Sequence, residues 1–265
     1  MRVLVYTPTR EGHLYGRSLQ SILQIEWPGQ LDFMFSRGGD DGEIEHPEKR
    51  GAAYIEVTRK YQEARTRCLE GGYDALLCAE SDMIIPPEAL RQMAEVKADV
   101  VYGLYALRHA DYRWNALALV GEHLAVSLSQ DEAGRKRLWG QVIVVDGVGL
   151  GCTLIHRHVL EALPFRVDEA GFACCDWYLS EDCKARGFSQ AMHLGVVCGH
   201  MSRVPSPRIL WPDPECGVRI EMLNVKFEPL QPGEKHEYMV SQGTVVVPAR
   251  VIHAKSDSTR AQAVL

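Results

Sequence analysis

The sequence predicts an α/β fold with a mainly parallel central sheet flanked by helices, followed by a C-terminal β-containing extension. Strand and helix signals alternate through roughly the first hundred residues, as βαβ units require. Short apolar runs break off at loops rich in Thr, Gly, Pro and acidic residues, which gives strands their ends. The 265 residues are 46% hydrophobic and 24% charged, enough to bury one large core.

Val3-Leu4-Val5-Tyr6 is a first strand, closed by Thr7-Pro8-Thr9. Leu19, Ile22 and Leu23 recur at helical spacing. Leu31–Phe35 is a second strand, ended by the glycine-rich acidic loop Arg37–Gly42. Tyr61, Ala64 and Cys68 form a helical stripe that stops at Gly71-Gly72. Ala75–Cys78 is a third strand. Pro86-Pro87, with Leu90, Met93 and Ala94 behind, starts another helix with proline in its first turn. Val100–Tyr102 is a fourth strand. Later, Val142–Val145 and Cys152–Ile155 read as strands around the loop Asp146–Gly151, Asp176–Arg186 as a helix stopped by Gly187, and Val196–Cys198 as a strand ending at Gly199-His200. The expected division is a domain over 1–203 and an extension over 204–265. The extension is proline-rich at first, has strand character at Thr244–Ile252, and serves to wrap the surface or to form a homo-oligomer.

The net charge of −6 argues against broad attraction to nucleic acid or anionic lipid. The eight cysteines contain no Cys-x-x-Cys pair, so a zinc ribbon is not expected. They read as small buried hydrophobes in a reducing compartment. With no signal-type N-terminus and no membrane-length apolar run, the expected location is cytoplasmic.

In an open sheet of this kind ligands bind beyond the carboxyl ends of the strands. Thr7–Arg10, Arg37–Asp41 and Glu80-Ser81-Asp82 each follow a strand, so they should share one edge. Carboxylates two apart after a buried strand suit Mg²⁺ or Mn²⁺. Taken alone, the same pattern is also what an acidic turn before a helix shows.

Residues 74–107, DALLCAESDMIIPPEAL through ADVVYGLYAL, resemble the family 2-like glycosyltransferases of the GT-A fold, the nucleotide-diphospho-sugar transferases. Their Asp-x-Asp motif ends a strand and is often followed by Met, a proline and a helix. Val148–Leu160 resembles the family's glycine loop and strand, and residues 176–200 the stretch from its catalytic acid to a late histidine. The likeness covers about 1–203. It implies a hexosyltransferase-like enzyme using a UDP- or GDP-sugar donor and Mn²⁺ or Mg²⁺, with the acceptor unspecified. On this resemblance Asp82 holds the metal, His200 contacts the metal or the diphosphate, and Glu80 contacts the metal or the ribose beside Ser81. Here Glu80 stands where the family usually has Asp. Thr7, Pro8 and Arg10 form the first nucleotide loop, and Arg37 with Asp40 the second. Lys60 and Arg65 face the base or the diphosphate, or are simply exposed charges. Gly149 and Gly151 allow close approach of a sugar, and Trp177 offers an acceptor platform or packs.

The base is placed by spacing. The family's catalytic Asp heads a helix of about three turns, roughly 11 residues, before a Gly-aromatic step. Asp176 lies eleven positions before Gly187 and Asp182 only five. Asp176 is therefore the expected base, preceded by Cys175 where the family usually has Glu; Glu181 and Asp182 are the alternatives. A single carboxylate suits one displacement with inversion, unlike the paired carboxylates of glycoside hydrolases. Two other readings remain open: a nucleotidyltransferase, although Thr7–Gly12 lacks a Gly-rich basic loop, and a non-catalytic sugar-nucleotide-binding module.

Overall fold

The computed structural model describes residues 1–9, 16–36, 50–108, 113–121, 124–127, 131–147, 149–167, 174–202, 208–223, 239–241 and 244–246. The chain runs β1 (Val3–Pro8), α1 (Gly16–Leu23), β2 (Leu31–Ser36), α2 (Arg50–Glu70), β3 (Ala75–Ala79), β4 (Met83–Ile84), α3 (Ala89–Ala94) and β5 (Val100–Leu104). It continues through β6 (Leu117–Gly121), β7 (Leu124–Ser127), α4 (Glu132–Leu138), β8 (Val142–Val144), β9 (Cys152–His156), α5 (Arg157–Ala162) and α6 (Cys175–Arg186). It then forms β10 (Gln190–Val197), β11 (Gly199–Ser202), β12 (Arg208–Asp213), β13 (Gly217–Met222), β14 (Met239–Ser241) and β15 (Thr244–Val246).

The central sheet has seven strands in the order β2-β1-β3-β9-β5-β10-β8. β1 pairs in parallel with β2 and β3, and β5 with β10. β9 runs antiparallel between β3 and β5, and β8 antiparallel on the outer side of β10. Five strands therefore share one direction, so the mixed α/β fold has the mostly parallel sheet that the alternation of signals predicts. Their carboxyl ends lie along one edge, and the reversed β9 brings the start of its strand to that same edge.

Side chains on β3 alternate between two cores, as a pleat of period two requires. Leu76 and Cys78 pack with Tyr61, Ala64 and Cys68 of α2 and with Leu179 and Cys183 of α6. Leu77 and Ala79 pack on the other face with Ile22 of α1 and Leu90 and Met93 of α3. The stripe Tyr61, Ala64, Cys68 is buried, as its spacing predicts. The α6 helix ends where expected, at Gly187, whose φ of 75° is left-handed and favours a residue without Cβ.

A second sheet, β13-β12-β11-β4, lies beside the first. Residues 208–222 extend it, and Trp114 Nε1 donates to Gly217 O at 2.6 Å, tying it to the rest of the fold. The expected boundary at 203 thus falls between two paired strands, β11 and β12. Within 204–265, β14 and β15 form a two-stranded sheet.

Leu77 is fully buried in the middle of the sheet. Leu77→Ala should lower the unfolding free energy by about 2–5 kcal/mol, seen as a lower urea midpoint at unchanged slope.

Candidate functional site

A cleft of about 500 Å³ opens at the carboxyl edge of the sheet. The turn after β3, the segment after β5, the loop before β9, the start of α6 and β11 all reach it. Glu80, Tyr105, Arg108, Gly149, Asp176 and His200 are among its lining residues.

The acidic turn is held from both sides. Glu80 N donates to Gly151 O at 3.0 Å, Met83 N to Glu80 O at 3.0 Å, and Met201 N to Asp82 O at 2.8 Å. β4 and β11 pair with His200 opposite Met83, which sets the imidazole beside Asp82. His200 Nδ1 lies 2.7 Å from Ala106 O. A carbonyl only accepts, so Nδ1 donates this bond and Nε2 is the ring nitrogen left facing Asp82. Nε2 stands 3.7 Å from Asp82 Oδ2, too far for a hydrogen bond. Among the described residues neither His200 Nε2 nor Asp82 Oδ1 has a hydrogen-bond partner, although both are buried. Arg108 Nη1 meets Asp82 Oδ2 at 2.8 Å.

The three acids near the cleft differ in environment. Burial, and after it the Asp82 and Asp176 charges, pushes the Glu80 carboxyl up to about 8; Arg108 and the Tyr61 hydroxyl work against this. Tyr61 donates to Glu80 Oε1 at 3.2 Å. Burial would also raise Asp82, but Arg108 and then His200 outweigh it and hold the group well below the usual carboxylate range. Burial raises Asp176, opposed by the Trp177 backbone N–H, which donates to Oδ1 at 2.8 Å.

The other two carboxylates of α6 are engaged elsewhere. Glu181 accepts from Trp177 Nε1 at 2.8 Å, which fixes the indole at the cleft wall. Asp182 takes two bonds from Arg166, at 2.7 and 2.8 Å. Of the three, Asp176 is the one that lines the cleft.

The remaining expected residues separate into groups. Thr7 and Pro8 end β1, with Thr7 fully buried, and Ser81 sits in the acidic turn. Lys60 is buried and donates from Nζ to Thr9 O at 3.1 Å, so it braces the backbone after β1. Arg65 Nε donates to Leu160 O at 2.6 Å and Leu163 O at 3.0 Å, fastening α2 to the end of α5, and it does not line the cleft. Arg10, Arg37 and Asp40 lie outside the described residues. Gly149 and Gly151 make room for Tyr105. A Cβ on Gly149 would sit 2.4 Å from the Tyr105 hydroxyl oxygen and 3.2 Å from Asp176 Oδ2; one on Gly151 would meet the Tyr105 ring at 3.0 Å.

Sequence reasoning missed Tyr105, Arg108 and Tyr54, which also line the cleft. The signal for the first was available, because Tyr105 directly follows β5 at the same edge. Buried Asn115 holds it there: Tyr105 N donates to Asn115 Oδ1 at 2.9 Å, and Asn115 Nδ2 to Gly103 O at 3.1 Å.

The donor set fits a divalent cation in part. Asp82 Oδ1 and His200 Nε2 are orphaned on side chains that approach to 3.7 Å through Oδ2, and ions of this class complete their shell with water and substrate phosphates. Among the described residues no group of three or more His, Cys, Asp or Glu could hold a metal ion. No helix among them is long and apolar enough to cross a membrane.

No family model and no curated protein matches the chain. Several solved structures are similar in part. A197 from STIV has 16% identity over 88% of this chain and 100% of that chain, with a TM-score of 0.45. GalNAc-T7, crystallised with UDP, GalNAc and Mn²⁺, has 9% identity over 77% of this chain and 44% of that one, also at 0.45. A putative nucleotide-diphospho-sugar transferase from Desulfovibrio desulfuricans G20 has 14% identity over 72% of this chain and 80% of that one, at 0.38. Likenesses this distant in sequence and in TM-score assign no family, and what the cleft can do rests on its own residues.

Asp176 supplies a test of the electrostatics. Its folded pKa is raised, so between the ordinary Asp value of about 3.9 and that raised value the folded state binds more protons than the unfolded state. Its contribution to stability is complete below the ordinary value and is lost as pH rises. Asp176→Asn should therefore match the parent in urea midpoint at acid pH and exceed it increasingly as pH rises to neutrality.

Proposed function

We propose that the chain is an inverting glycosyltransferase that moves a sugar from a nucleoside-diphosphate donor to an acceptor hydroxyl with the help of Mn²⁺ or Mg²⁺. The observation that carries this is a single cleft lined by both Asp176 and His200, with Asp82 beside the histidine. One group of residues suits proton removal and the other suits the charged leaving group.

In this reading Asp176 takes the proton from the acceptor hydroxyl as its oxygen attacks the anomeric carbon. The bond from that carbon to the diphosphate breaks, and the diphosphate leaves with the electron pair. One displacement inverts the anomeric centre. The elevated proton affinity of buried Asp176 suits a general base better than an ordinary surface carboxylate would. Asp82 and His200 would hold the cation, with Glu80 beside the ribose. The bound cation would neutralise the negative charge of the leaving group. Trp177, fixed by Glu181, offers the acceptor a flat apolar wall. Thr7, Pro8 and Ser81 stand at the same edge as the donor.

Asp176→Asn should reduce transfer from the parent's sugar nucleotide by about 10²–10⁴-fold while leaving donor affinity nearly unchanged by calorimetry. Asp82→Ala should remove the stimulation by Mn²⁺. Full transfer by Asp176→Asn, or loss of transfer in Asp182→Asn instead, would remove Asp176 from the role of base. Donor binding by the parent without any transfer or hydrolysis across a donor panel would favour a binding module.

A further inference from the structure

Arg108 has no place in the reaction just described, yet it pairs with the Asp82 carboxylate. Its Nη1 is 2.8 Å from Oδ2 and also reaches Met201 O at 3.5 Å. The pairing is one-sided. A guanidinium that embraces a carboxylate satisfies both oxygens, whereas here Asp82 Oδ1 has no hydrogen-bond partner among the described residues. His200 Nε2 has none either, and its side chain is only 7% exposed. Buried polar atoms left in this state are costly. Arg108 thus supplies charge to Asp82 through Oδ2 and leaves Asp82 Oδ1 and His200 Nε2 without a partner among the described residues. Its own side chain is 48% exposed, against 15% for Asp82. It enters from the solvent side of the cleft and can withdraw without carrying its charge into the core.

We propose that Arg108 is a built-in competitor for the cation position on Asp82. It pairs with the carboxylate while no divalent cation is present and must give way before one can bind. Its guanidinium, at the cleft wall, then meets the anionic diphosphate. The proposal rests on the glycosyltransferase reading and adds a form of regulation to the same site. It couples cation arrival to the release of a donor-binding arginine, so both partners of the donor complex become available together.

The test measures Mn²⁺ alone, without nucleotide, by the loss of the free-ion EPR signal on addition of protein. Arg108→Met keeps an apolar stem and removes the guanidinium. It should bind Mn²⁺ more tightly than the parent by up to roughly fivefold, the scale of releasing one partly exposed ion pair. The gain should vanish in Arg108→Met with Asp82→Asn. At saturating Mn²⁺, Arg108→Met should bind UDP or GDP more weakly than the parent, so the two affinities move in opposite directions. Equal or weaker Mn²⁺ affinity in Arg108→Met would overturn the competition while leaving a cation on Asp82 intact. Mn²⁺ binding that survives Asp82→Asn, or is missing from parent and variant alike, would overturn the metal reading and the competition with it.

Discussion

β11 pairs antiparallel with β4 through Gly199↔Ile84 and His200↔Met83, and the arrangement of charge in the cleft depends on that short ladder. β4 is two residues long and begins directly after the acidic turn. The ladder therefore fixes the imidazole within 3.7 Å of Asp82, although the two residues are far apart in sequence. The Ala106 carbonyl then orients the ring by accepting from Nδ1. Geometry, not composition, brings a histidine and an acidic turn into one site.

Burial sets the three acids apart. Glu80 and Asp82 share a turn, yet burial and neighbouring negative charge raise one while Arg108 and His200 hold the other down. Asp176 is raised by burial and steadied by a backbone donor at the head of α6. Groups with diverging proton affinities in one cleft are the usual basis for dividing roles between them. Bare glycines before β9 complete the wall, because Tyr105 occupies the volume that side chains at 149 and 151 would need.

Much of this was legible in the sequence. The strands around Val3–Tyr6, Ala75–Cys78 and Cys152–Ile155 are short, apolar and bounded by turn residues, so periodicity finds them. The helix from the Asp176 region to Gly187 is marked at its end by a glycine and in length by its spacing. Less legible were β10, where Gln190, His193 and Gly195 interrupt the apolar pattern, and β12, where Pro212 reads as loop. Pro212 is tolerated near the strand end, where little is lost with its missing N–H. The reversed direction of β9 leaves no mark on hydrophobic pattern, because a strand buried on both faces reads alike either way.

Arg65 and Arg108 show the same division. Both are arginines at plausible positions, but Arg65 is drawn to the carbonyls ending α5, while Arg108 turns onto Asp82. By itself the sequence determined the alternation of elements, the edge at which their loops gather and the acids those loops carry, because these follow from local periodicity and strand direction. The tertiary structure decided which acid of α6 faces the cleft, which histidine nitrogen faces Asp82 and which arginine meets that carboxylate. Those outcomes depend on distances between segments remote in the chain, and such distances exist only once the two sheets have paired and packed.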